Sequence, residues 1–183
     1  LFIENGLRFV ATESKQVNIL EVGFGTGLNA LLTAQYAKEN ALSVHYIGLE
    51  AYPVEESIWK EINYVNEPDA SAFYFKMMEL PFGETNVCHP NFILNKIASR
   101  IQEWVSSEKF DLIYYDAFGP KAQPEMWALA IFEKLYALLN PGGAIVTYCA
   151  QGQFKRHLKS LGMRVEALSG PPGKREMTRG VKI

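Results

Sequence analysis

Three carboxylates and a run of glycines are placed to do chemistry together in this chain. The stretch Ile19-Leu20-Glu21-Val22-Gly23-Phe24-Gly25-Thr26-Gly27-Leu28-Asn29-Ala30 sets a carboxylate two residues ahead of Gly23-x-Gly25-x-Gly27. Glycines let a backbone turn sharply and approach a ligand with no Cβ in the way. The spacing differs from the Gly-x-Gly-x-x-Gly that cradles a dinucleotide pyrophosphate, and Glu21 beside a pyrophosphate would set negative charge against negative charge. A cationic amino-acid group suits that carboxylate better. Glu50 closes an apolar run over residues 43 to 49, where a carboxylate can accept both hydroxyls of a ribose. Asp116 closes a second run, Phe110 to Tyr115, and is followed by Ala117-Phe118-Gly119-Pro120. A carboxylate there can accept the proton of an amine while loop carbonyls aim its lone pair, and Phe118 offers a face to a flat base.

These groups need strands and helices to bring them together. Val17 to Val22 reads as a strand, Leu28 to Lys38 as a helix, and Ser43 to Leu49 as a second strand rich in β-branched and aromatic residues. Val54 to Val65 has helical spacing with Pro53 near its first turn, and Asn66 to Pro90 reads as loop-rich. Asn91 to Ile97 is expected as a third strand, followed by a short helix through Ile101 and Val105. Phe110 to Tyr115 reads as a buried parallel strand and Pro124 to Leu139 as a helix stopped by Asn140-Pro141-Gly142-Gly143. Ala144 to Cys149 is a fifth strand and Phe154 to Leu161 a helix, with Arg164 to Ser169 and Thr178 to Ile183 as a terminal antiparallel pair. Strands alternating with helices imply an α/β doubly wound sheet covered on both faces. In such sheets ligands sit beyond the carboxyl ends of the strands, so the loops after Val22, Leu49 and Tyr115 are expected to share one crevice.

The 183 residues fit one domain with a sizeable core. Apolar residues make up 48% and charged residues 21%, an ordinary globular composition without an apolar run long enough to span a bilayer. The first residue is Leu, with no charged-then-apolar leader, so the chain is expected to begin inside a longer protein and to be cytoplasmic. Cys88 and Cys149 stand apart, with three scattered His, and no metal site is expected; the adjacent Cys88-His89 is read as loop. Trp104 and Trp127 fall within helical apolar patterns and are expected in the core. The net charge of −2 conceals an asymmetry: residues 151–183 carry eight Lys/Arg against two Asp/Glu, while residues 1–150 carry ten against eighteen. That end suits either a polyanion partner or a solvated helix face.

The strand-end pattern Glu-Val-Gly-x-Gly-x-Gly resembles the first motif of Rossmann-like methyltransferases, whose cofactor S-adenosylmethionine carries an ammonium and a sulfonium but no phosphate. The Asp116 loop stands where amino-methylating enzymes have an Asp-Pro-Pro-Tyr-like motif. In order along the chain, "EVGFGTGLN", "YIGLEAYP", "YYDAFGPKAQPEMW", "LNPGGAIVTYCAQGQFKRHL" and "GPPGKREM" resemble the methyltransferase of the bacterial tRNA wobble-uridine pathway, the MnmC/MnmD (DUF752-like) family. The resemblance covers nearly the whole chain. It implies a class I S-adenosylmethionine-dependent methyltransferase that converts 5-aminomethyl-(2-thio)uridine in tRNA to its 5-methylaminomethyl form. Asp116 is then the catalytic carboxylate. The cofactor set is Glu21, Gly23, Phe24, Gly25, Thr26, Gly27, Asn29 and Glu50. The tRNA side comprises Phe118, Pro120, Lys121, Lys174, Arg175 and Glu176, with no metal.

Some members of that family also carry a flavin-dependent oxidase domain that makes the amine; 183 residues do not hold it, so a stand-alone methyltransferase or a piece of a fusion is expected, with a separate or fused FAD-dependent oxidase as partner. After the third strand the family usually has an Asp, where this chain reads Ala98-Ser99-Arg100-Ile101-Gln102-Glu103. Arg100 has donors only and does not accept from an adenine amino group. The competing readings are methylation of another amine, a nicotinamide-dependent oxidoreductase, which Glu21 and the glycine spacing disfavour, and a non-catalytic binding module.

Overall fold

The computed structural model describes residues 1–12, 15–170 and 176–183. Eight strands form one sheet: β1 (Gln16–Val22), β2 (Ser43–Glu50), β3 (Thr85–His89), β4 (Phe92–Ala98), β5 (Phe110–Tyr115), β6 (Leu139–Thr147), β7 (Arg164–Ser169) and β8 (Glu176–Val181). Their order is β3-β4-β2-β1-β5-β6-β8-β7. The five central strands are parallel, with Ile19 opposite both Tyr46 and Leu112, while β3 is antiparallel at one edge and β8 is antiparallel to both β6 and β7. The central strands are largely buried because both faces are covered. The chain leaves β1 toward β2 and β4, then returns to β5 on the other side. The crevice between β1 and β5 is thus the switch point, where a doubly wound sheet binds its ligand.

The N-terminal residues form a π-helical turn over Ile3–Leu7 that continues into α1 (Arg8–Val10). Gly6 packs directly on the sheet: a Cβ there would meet side-chain atoms of Leu112, Tyr114 and Val146 at 3.1–3.2 Å. With α2 (Leu28–Glu39) and α4 (Pro68–Glu79) this segment covers one face of the sheet, burying Leu7, Leu31, Tyr74 and Met77. The other face is covered by α5 (Leu129–Leu138) and α6 (Gly152–Ser160), with Trp104, Trp127, Phe132 and Phe154 in its core. Both tryptophans are buried, as their apolar spacing implied.

Four local expectations are corrected. The helix over residues 54–65 shrinks to α3 (Glu56–Trp59), one turn with Ile58 exposed. The span read as loop holds α4, whose start signals, Pro68 at the first turn and Asp69 beside it, fit a helix N-terminus. It also holds β3, so Cys88 and His89 are strand residues rather than loop. No helix follows β4; one turn closes with Trp104 N–H donating to the Arg100 carbonyl at 2.9 Å. The helix over 124–139 is split into a 3₁₀ turn, Pro124–Trp127, and α5, because Ala128 between them is extended (ψ 148°). Two tethers hold the split: the Tyr115 hydroxyl donates to the Met126 carbonyl, and Trp127 Nε1 donates to the Phe118 carbonyl at 2.8 Å. The break turns Gln123 and Met126 toward the switch point.

Candidate active site

A cleft of about 640 Å³ opens at the carboxyl ends of β1, β2, β4 and β5, where the switch-point rule places it. Gly23, Gly25, Glu50, Asp116 and Phe118 line it together, so the loops after β1, β2 and β5 share one crevice, as the sheet order implied. Gly23 N–H and Phe24 N–H both donate to the Leu49 carbonyl at 3.0 Å, and Asp116 N–H donates to the Val22 carbonyl at 2.9 Å. These bonds continue the β1–β2 and β1–β5 pairings past the strand ends, so the three loops meet as one rim.

The glycines serve different ends. Gly23 (φ 94°) is crowded by backbone, since a Cβ there would lie 2.7 Å from the Asp116 carbonyl oxygen. Gly25 (φ 52°) faces open space, with nothing within 4 Å of the same atom, and its N–H donates to Glu50 Oε2 at 2.8 Å. Gly27 (φ 75°) turns the chain into α2, and a Cβ on it would strike Met78 Sδ at 2.8 Å. Only Gly23 and Gly25 stand on the cleft wall; Gly27 packs against α4.

Glu50 holds the loop and faces the cleft at once. Its Oε1 accepts from Tyr52 N–H at 3.0 Å, and each carboxylate oxygen retains a lone pair for a ligand hydroxyl. Phe118 is 72% exposed while its carbonyl is tied to Trp127, so the ring stands in solvent on a fixed backbone.

The other cofactor-set residues lie behind the wall. Phe24 is buried against Gly48, where a Cβ would come within 2.3 Å of its ring. Thr26 pairs its hydroxyl with Tyr64, and its carbonyl accepts from Tyr74 at 3.0 Å. Glu21 is 1% exposed; its two oxygens accept from Asn29 Nδ2 and the Tyr46 hydroxyl, each at 2.7 Å. Burial pushes its carboxyl up to about 8 against the opposing effect of those two bonds, with Asp116 and Glu50 adding to the rise. Asn29 Nδ2 also reaches Asp116 Oδ2 at 3.1 Å.

On the acceptor side Pro120 is half-buried and Lys121 exposed, both just outside the cleft wall. Glu176 starts β8 and is ion-paired with Lys155 of α6. Lys174 and Arg175 lie outside the described residues.

Cleft residues that the motifs did not single out include Tyr52, Gln123, Met126 and Tyr148. Tyr148 follows β6 at its carboxyl end and donates to the Ala117 carbonyl, bracing the Asp116 loop; burial, with Asp116 nearby, raises its hydroxyl. The rule that singled out Glu50 and Asp116 also points to Tyr148. Arg100 Nη2 donates to the Tyr52 hydroxyl, with its guanidinium 5.5 Å from that ring, so the two close one end of the cleft. Among the described residues no group of three or more His, Cys, Asp or Glu is placed to hold a metal. No helix among them is long and apolar enough to cross a membrane.

The arrangement suits a cofactor with a ribose, whereas Glu21, expected to meet a cationic group, is instead buried behind the wall and held by Asn29 and Tyr46. A carboxylate with free lone pairs ends β2, a Cβ-free backbone borders open space at Gly25, and the cleft volume fits a nucleoside-sized ligand. Comparison with known proteins agrees. The bifunctional protein MnmC of tRNA 5-methylaminomethyl-2-thiouridine biosynthesis from Pseudoalteromonas atlantica is 30% identical over 89% of this chain. Its counterpart from Pseudomonas fluorescens is 28% identical over 98%. The chain spans 26% and 30% of those two proteins. The crystal structure of MNMC2 from Aquifex aeolicus superposes with a TM-score of 0.74 at 27% identity, covering 92% of this chain and 54% of that one. The amino pentose methyltransferase CalS10 from Micromonospora echinaspora shares the fold at TM-score 0.58 and 14% identity, covering 98% of this chain and 89% of that one. The family model for S-adenosyl-L-methionine-dependent methyltransferases matches residues 75–183, which include β5, the Asp116 loop and the C-terminal strand pair. Fold, cleft and this match agree, and the chain belongs to the S-adenosyl-L-methionine-dependent methyltransferase family.

Proposed function

We propose that this chain is a single methyltransferase domain that methylates the amine of 5-aminomethyl-(2-thio)uridine at the wobble position of tRNA. The observation that carries the reading is the pairing of Asp116 with an exposed Phe118 on the wall of the cleft that Glu50 also lines. When bound, S-adenosylmethionine supplies a methyl group on a positively charged sulfur. Glu50 binds the ribose hydroxyls, and the backbone at Gly23 and Gly25 lets the cofactor approach closely. The acceptor nitrogen must be neutral to attack; Asp116 accepts a hydrogen bond from it and takes up the proton released as the nitrogen–carbon bond forms and the carbon–sulfur bond breaks, its electron pair leaving with the neutral sulfur. Phe118 stacks the splayed-out base, which sets the amine in front of Asp116. Tyr148 keeps the Asp116 loop in place through the Ala117 carbonyl.

The likeness to the MnmC proteins, named as bifunctional proteins of this tRNA modification, supports the substrate, and a second activity in those longer proteins fits an oxidase partner that makes the amine. A tRNA substrate fits a cytoplasmic enzyme, and the basic excess after residue 150 fits phosphate contacts from Lys174 and Arg175, with Lys121 beside the loop. The test is transfer of labelled methyl from S-adenosylmethionine to tRNA bearing 5-aminomethyluridine, alongside tRNA lacking that group. Label confined to the wobble nucleoside of the first supports the reading; equal labelling of both, or of neither while cofactor binds, overturns it.

A further inference from the structure

We infer that Asn29 is a positioning residue for Asp116, its one side-chain amide tying the acceptor carboxylate to the buried carboxyl group of Glu21 and, through that, to Tyr46. The inference deepens the proposed amine-methylating role of Asp116 and rests on it. Asn29 is the second residue of α2, delivered by the left-handed turn at Gly27. Its Nδ2 stands 2.7 Å from Glu21 Oε1 and 3.1 Å from Asp116 Oδ2. A primary amide has two N–H groups in one plane, so each serves one carboxylate. The other oxygen of Glu21 takes the Tyr46 hydroxyl at 2.7 Å.

Four elements therefore meet in one chain of hydrogen bonds: β2 through Tyr46, β1 through Glu21, α2 through Asn29 and the end of β5 through Asp116. Tyr46 and Glu21 are fully buried, so the inner end of the chain has no water to exchange with. The terminal torsion of an aspartate is soft. A donor on Oδ2, itself held from behind, sets the plane of the Asp116 carboxylate and hence the direction of its remaining lone pairs. Asn29 is absent from the cleft wall and spends both N–H groups inward, so it acts on the cofactor, if at all, through the loop.

Charged and titratable groups that feel the charge of Asp116 include Glu21 from β1, Tyr46 from β2 and Tyr148 after β6, and Glu50 adds its charge at Glu21. Removing the Asn29 donor withdraws support from the ionised form of Asp116. In Asn29→Ala the acid limb of the kcat/KM profile then moves to higher pH. The rate falls on the order of a hundredfold, as for a misplaced catalytic group, while S-adenosylmethionine affinity by calorimetry stays within about threefold, a small loss on the affinity scale. Glu21→Gln, which keeps an acceptor for Asn29, retains more of the rate than Glu21→Ala.

A second measurement does not depend on turnover. In the ligand-free protein the Asn29 side-chain amide, followed by nitrogen-15 NMR, is expected to shift with pH in two steps. Asp116→Asn removes one step and Glu21→Gln the other. An amide signal indifferent to both substitutions overturns the inference. So does Asn29→Ala with an unmoved pH profile, or with a rate loss matched by its loss of cofactor affinity. A wild-type protein that labels no tRNA fails the proposed function, and the amide titration still decides the network.

Discussion

Gly23 and Asp116 are in backbone contact across the switch point of the sheet, with 2.7 Å between the Asp116 carbonyl oxygen and the place a Cβ on residue 23 would occupy. The loop that borders the cofactor cleft and the loop that carries the acceptor carboxylate are thus packed against each other without a side chain between them. Gly23→Ala is penalised twice, by a φ of 94° and by this contact. The expected loss is about 1–3 kcal/mol, or roughly 2–4 °C of Tm for each kcal/mol in a domain this size. Methyl transfer falls further than stability does, because the strain is relieved by moving Asp116. Gly25→Ala shares the left-handed strain (φ 52°) but lacks the clash, so it costs less stability, and a methyl bordering the open space at the cleft wall is expected to weaken cofactor binding. Calorimetric unfolding and cofactor titration of the two variants separate these outcomes; equal effects of both substitutions on cofactor affinity refute the distinction.

Asp116→Ala is expected to abolish methyl transfer while cofactor affinity stays near that of the wild type. Asp116→Asn keeps the shape but exchanges an acceptor oxygen for a donor, and it loses the same activity. Single-turnover transfer with saturating cofactor checks both. Wild-type turnover in either variant removes Asp116 from the reaction.

The buried carboxyl of Glu21 makes a pH prediction with a definite sign. Its folded-state value is raised from 4.5 to about 8, so between those limits the folded chain holds a proton that the unfolded chain has released. Stability from this group is complete at low pH, falls as pH rises through that window, and is constant above it. The integrated effect is on the order of 5 kcal/mol. Glu21→Gln removes this slope, so denaturant unfolding of wild type and variant should converge toward acid and diverge toward neutral pH, the variant being the more stable in the upper range. Parallel curves sink the assignment of a protonated Glu21.

The sequence carried the central sheet and its crevice because three of the core strands, β1, β2 and β5, are short runs ending at Gly23, Glu50 and Asp116, and the order of strands and helices forces a doubly wound topology. It failed where local spacing and tertiary packing disagree. Val54, Ile58, Ile62 and Val65 repeat like a helix face, yet the helix that covers the sheet is α4, whose Pro68-Asp69 start resembles a loop in composition. At the site, residue type identified Glu50 and Asp116, which line the cleft, but not the direction each glycine-loop side chain takes. Phe24 turns inward because Gly48 leaves it room, a relation between neighbouring strands invisible in either segment alone. Tyr52 and Tyr148 reach the cleft from the strand-end loops as well, and their positions follow from the same carboxyl-end rule.

Phe118 is expected to act on the acceptor alone. Its ring is exposed while its backbone is fixed by Trp127, so Phe118→Ala deletes a stacking face without loosening the loop. A stacked base is worth about 1–3 kcal/mol, which appears as a raised KM for tRNA with cofactor affinity unchanged. Phe118→Tyr or Phe118→Trp restores it. An unaltered KM in the alanine variant places the base elsewhere.

Glu50 has a double duty that its removal should expose. One oxygen accepts from Gly25 N–H at 2.8 Å and the other from Tyr52 N–H at 3.0 Å, so the carboxylate braces the glycine loop and the cleft's opposite rim before any ligand arrives. Hydrogen bonds to a charged group contribute roughly 1.5–3 kcal/mol each. Glu50→Ala therefore weakens S-adenosylmethionine binding by tenfold or more and also lowers Tm. Glu50→Gln can still accept at one oxygen, and retains the bond to Gly25 while losing one of the two ribose contacts. The discriminating measurement is cofactor affinity compared with that for 5′-deoxy-5′-methylthioadenosine, which keeps the ribose but lacks the amino-acid end. If Glu50 serves the ribose, both ligands weaken by the same factor in Glu50→Gln; a loss confined to the full cofactor moves Glu50 to the amino-acid end of the cleft.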